Sequence, residues 1–178
     1  MDLAEALRGH KEKIVEQWVD YTLSTYKSSK FFRREGNKFA NPVGGETKEA
    51  LEALFLLLAN NAEPQDFVEP VEKIMRMRAI QDFAPSQAVS PIHAVKHITR
   101  EVLAADRDKS HLLQDLYDFE FAVDMAVLAA FDVYMECRER LYNVRMEELR
   151  SGRNLYTDSK CPSRLLQNDI KKSEDTEE

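Results

Sequence analysis

From His111 to Arg150 the chain runs without a glycine or a proline, and that stretch limits what the rest can be. A continuous helix over it would be roughly 60 Å long at 1.5 Å per residue, against about 40 Å for a globule of 150 residues. Its end must project or meet another chain, and a many-stranded sheet has no place for it. Composition points the same way. Of 178 residues, 43% are hydrophobic but only 5 are glycine and 6 proline, enough apolar matter for a core and too few turn formers for a β fold. The fold class this implies is all-α, with five or six helices.

The periodicity places them. Leu3, Leu7, His10, Ile14, Trp18 and Tyr21 recur at threes and fours, with an interruption at Gly9. A buried helix is expected from about Gly45 to Asn60 around Leu51, Leu54, Phe55 and Leu58. Pro64 opens the next, whose face carries Phe67, Val71, Ile74, Met75 and then Arg78. Pro85 and Pro91 each sit next to a serine able to cap, Ser86 and Ser90, so the fifth helix starts in two steps or bends early. After Gly152 the helical period is gone and the sequence ends in acidic residues. The expected organisation is a domain over 1–150 and a flexible acidic tail over 151–178, with local docking by Leu165, Leu166 and Ile170 as the alternative for the tail.

Net charge is −7, which disfavours nucleic acid or an anionic membrane as partner. Two cysteines, Cys137 and Cys161, lack the number and spacing of a disulfide framework or zinc site. With no apolar run of about 18 residues and no basic-then-apolar N-terminus, the expectation is a cytoplasmic protein without a membrane span.

Four segments then bear a resemblance: Ile14-x3-Trp18-x2-Tyr21; Asn41-Pro42-Val43-Gly44; Ile74-x3-Arg78-Ala79-x-Gln81-Asp82-Phe83-x-Pro85-Ser86-Gln87-Ala88; and Phe131-Asp132-x-Tyr134-x2-Cys137-Arg138-Glu139. Together they resemble the N-terminal domain of RsbR/RsbRD-type co-antagonist proteins over roughly residues 10–150. The resemblance implies a globin-like helical fold without haem, ending in a long helix, and a dimeric sensory or regulatory role in bacterial stress signalling. In that family the last helix usually leads into a STAS domain. The residues after Arg150 are too few for one, so output through an attached STAS domain is not expected.

The candidate sites are few. His93 and His97 lie four apart, a metal-gripping geometry, but on the side opposite Ile92, Val95, Ile98 and Val102; His10 shares an apolar face and His111 starts a helix, neither with a second inward ligand. No metal, haem or other cofactor is therefore assigned. The basic, aromatic stretch 27–39, with Phe31, Phe32 and Phe39, is expected to be a solvated loop anchored by its rings, or a protein contact. Arg78 on an apolar stripe with Asp82 one turn later suggests a partly buried ion pair, with contact to a small anion as the functional alternative. No catalytic constellation assembles, and Cys137 reads as packing rather than nucleophile.

In the last helix Leu113, Leu116, Val123, Val127, Ala130, Tyr134, Cys137, Leu141 and Val144 form a heptad seam. A second stripe, Phe121, Leu128, Phe131 and Met135, is expected to be buried within the domain. That leaves Tyr134, Cys137, Leu141 and Val144 as the interface of a homodimer. The function expected is that of a non-enzymatic regulator acting on a protein partner, with a small-molecule carrier as the alternative and haem as its least favoured cargo.

Overall fold

The structure is a computed structural model and describes residues 2–27, 29, 32, 41–60, 62–81 and 83–151. Among the described residues every regular element is helical. The order is α1 (Leu3–Gly9), α2 (Lys11–Ser24), α3 (Pro42–Ala59), a 3-10 turn (Pro64–Phe67), α4 (Val68–Ala79), α5 (Pro85–Ala105), a second 3-10 turn (Ser110–Asp115) and α6 (Tyr117–Ser151). No helix among the described residues is long and apolar enough to cross a membrane. The tail from 152 and most of the stretch 27–39 lie outside the described residues.

Local chemistry sets the boundaries. Asp2 caps α1, its carboxylate accepting the Glu5 N–H at 2.7 Å, and the chain breaks at His10 just past Gly9. Asn41 caps α3 by accepting the Gly44 N–H at 2.9 Å, with Pro42 at the first helical position where its missing N–H costs nothing. The α5 helix opens on Pro85, and Gln87 reaches back to accept the Ala84 N–H at 3.1 Å. The serines do not cap as expected: Ser90 donates to the Gln87 carbonyl at 3.2 Å. Nor does the helix start twice, since Pro91 lies inside one continuous segment.

The chain divides into two compact units, Met1–Cys137 and Arg138–Glu178. In the first, α2 lies against α3 and α5, and α3 against α4. Trp18, Leu51, Leu54, Phe55, Leu58, Ile74, Val95 and Phe119 fill the core between them. The early part of α6 is tied to α5 on the outside by two ion pairs, Lys96 with Asp124 at 2.8 Å and Arg100 with Glu120, the latter bidentate through Nε and Nη2. Within this unit one stripe of α6 departs from expectation. Val123, Ala126, Ala130 and Tyr134 face the core, while Phe121, Leu128, Phe131 and Met135 are exposed. In the second unit Leu141, Tyr142, Val144 and Leu149 are exposed along α6.

Candidate functional site

Arg78 is the one charged side chain wholly removed from solvent among the described residues, with none of its surface exposed. It stands at the end of α4 on the stripe that continues Val71, Ile74 and Met75, so the helical period carries it inward. Its guanidinium lies against two rings, 4.9 Å from the centroid of Tyr26 and 4.2 Å from that of Phe83. The rings meet edge to face with centroids 5.7 Å apart. Nη1 donates to Thr25 Oγ1 at 3.1 Å and Nη2 to the carbonyl of Gln87 at 2.9 Å.

The Gln87 acceptor exists because of Pro91. In an unbroken helix that carbonyl would receive the N–H four residues later, and proline has none. The carbonyl is left free and takes the guanidinium and the Ser90 hydroxyl instead. Pro91 contributes on its other side as well, since its own carbonyl accepts the Trp18 indole N–H at 2.6 Å. The lid over the guanidinium is fixed in the same way: Tyr134 donates to the Phe83 carbonyl at 2.6 Å, anchoring the α4–α5 connection to α6.

The site is incomplete in its hydrogen bonding. Arg78 Nε, the Tyr26 hydroxyl and the Thr47 hydroxyl are buried and make no hydrogen bond of good geometry, although the Tyr26 phenol lies within hydrogen-bonding influence of both the Arg78 guanidinium and the Thr47 hydroxyl. Burial pushes the Tyr26 phenol above its ordinary range, opposed by the nearby Arg78 charge and Thr47 hydroxyl. Burial likewise lowers the Arg78 pKa, with Tyr26 next to it as the main counterweight. Among the described residues no carboxylate pairs with Arg78. Asp82, the partner expected from the sequence, lies outside the described residues.

The sequence singled out Arg78 but not Tyr26 or Thr47. Thr47 stands one turn before Leu51 on the buried face of α3, and an inward threonine at that spacing is the signal that would have found it. Of the four expected interface residues, Tyr134 and Cys137 are 1% and 9% exposed, held in the chain's own core, while Leu141 and Val144 are 38% and 45% exposed. Tyr134 thus serves the Arg78 site, not a surface. The histidines sit apart: His93, His97 and His111 are exposed, and His10 is 3.0 Å from Asp106 with Lys109 alongside. Among the described residues no three His, Cys, Asp or Glu side chains are grouped to hold a metal.

Residues 12–149 match the family described as the RsbT co-antagonist protein rsbRD N-terminal domain. The chain belongs to that family. RsbRD N-terminal domains are regulatory domains of stress-response signalling, and the match takes in every residue of the Arg78 site. An uncharacterized protein of Archaeoglobus fulgidus is 25% identical over 141 residues, covering 78% of this chain and 83% of its own length. No solved structure matches.

Proposed function

We propose that this RsbRD N-terminal domain is a non-enzymatic sensor that acts through protein contacts and signals by a change in the geometry of a homodimer. Membership of the family over residues 12–149 carries the reading. As its name says, the family opposes RsbT, so the partner class is a protein of that regulatory machinery. The dimer reading rests on α6. In the first unit Phe121, Leu128 and Met135 are exposed at steps of seven, with Phe131 between; in the second Leu141 and Val144, expected at the interface from the sequence, are exposed but off the register of that row. Rows spaced by sevens match a second copy of the same helix, and two-fold pairs are the commonest soluble assembly.

Light scattering at tens of micromolar tests this. The wild type runs as a dimer, and Leu141→Glu with Val144→Glu, or Leu128→Glu with Phe131→Glu, gives monomer with the helical signal kept. A monomeric wild type overturns the dimer reading. The carrier alternative gains nothing from the groove between α2 and α3, which opens on the surface and is lined in good part by charged side chains, Lys11, Glu12, Glu16, Asp20, Lys48 and Glu52 among them.

A further inference from the structure

We propose that a second copy of the chain lies antiparallel along α6, on a seam of Phe121, Leu128, Met135, Tyr142 and Leu149. The inference rests on the homodimer reading and gives that dimer its direction. Counted along the one helix Tyr117–Ser151, the five fall at every seventh residue, the first three in the first unit and the last two in the second. All are between 44% and 63% exposed. A strict repeat of seven drifts by about 20° per repeat around a straight helix, so over four repeats the row turns by about 80°. Only a surface that winds with it stays in contact, and a supercoiled helix of the same repeat is such a surface.

The charges beside the row decide the direction. Three places after its members stand Asp124, Phe131, Arg138 and Arg145, all exposed, so these complete the seam. Parallel copies set each residue against itself. That brings Arg138 onto Arg138 and Arg145 onto Arg145 where water is being expelled, and Asp124 onto Asp124, the last eased by its bond to Lys96 at 2.8 Å. Antiparallel copies in full overlap remove every such layer. Arg145 then meets the partner's Phe121, a ring face that suits a guanidinium, Arg138 meets its Leu128, and Phe131 meets its Met135. Asp124 meets the partner's Tyr142 and so lies on the turn between the partner's Arg138 and Arg145, where opposite charges attract. The flanking carboxylates Asp118, Asp132 and Glu139 are exposed and stay at the wet edge, where screening leaves them little say.

The test uses the whole chain carrying Cys161→Ser, which leaves Cys137, 9% exposed, as its own thiol. Phe121→Cys and Arg145→Cys are made separately in that background, at positions exposed enough to keep the fold. Each is oxidised mildly alone, and the two are oxidised together after subunit exchange. Disulfide-linked dimer should form about tenfold faster in the mixture than in either variant by itself. Nitroxide labels on Arg145→Cys give a second readout that needs no bond: antiparallel copies place them about 35 Å apart, parallel copies within about 15 Å. Fast linkage within a single variant, or the short label distance, overturns the direction and leaves the homodimer. A dimer by light scattering that links in no sample overturns the seam. A monomeric wild type defeats the homodimer reading, and this inference with it.

Discussion

At Arg78 two accounts of one buried charge give different numbers. Arg78→Ala should cost about 3 to 5 kcal/mol in chemical denaturation, by removing a buried cation from partners built around it. A cycle with Asp82→Ala then separates the accounts. A coupling energy of about 2 to 3 kcal/mol would assign the counter-charge to that carboxylate, whereas a bound anion predicts coupling within about 0.5 kcal/mol of zero. Tyr134→Phe tests the lid. It strands the Phe83 carbonyl and should cost about 1 to 3 kcal/mol, with faster hydrogen exchange along the α4–α5 connection. The sequence showed Arg78 turned inward because its own helix carries the signal. Its surroundings were hidden, since Tyr26, Thr47 and the Gln87 carbonyl reach it from elements far apart in the chain, and no period within one helix reports that.

Helices were legible where a cap or proline coincided with a change of period, as at Asn41-Pro42 and Pro85. The two stripes of α6 were not. Both are apolar at helical spacing, and spacing says which residues share a face without saying which face turns inward. The structure turns Val123, Ala126, Ala130 and Tyr134 inward and leaves Phe121, Leu128, Phe131 and Met135 exposed. The start of α3 offers a test of how local these rules are. At Gly44 a methyl group would run into the Asn41 side chain, which is the cap itself. Gly44→Ala should therefore lower stability by about 1 to 2 kcal/mol despite alanine's better helix propensity, and in Asn41→Ala, where the cap is already gone, the same change should cost far less. Thermal melts of the two singles and the double would decide it.

Taken as a whole the molecule has its acid sensitivity written in surface carboxylates. Lys11, with Lys48 further off, holds Glu52 below its ordinary range. At Asp106 burial pushes upward, but Lys109, the Asp108 N–H and His10 outweigh it and the net shift is down. A depressed carboxylate adds stability that is whole above its unfolded value, about 4, and is lost as pH falls through the lower folded value. Denaturation midpoints should hold between pH 5 and 7 on this account and drop below about pH 4, with Asp106→Asn and Glu52→Gln flattening the drop. Trp18, the chain's only tryptophan, is fully buried, and its indole N–H is bonded to the carbonyl of Pro91, the residue whose missing N–H frees Gln87 for Arg78. The protein thus carries its own optical label one proline away from its buried charge. Any change in the packing beside that charge should register in the colour and intensity of a single, unambiguous emitter, with no dye attached.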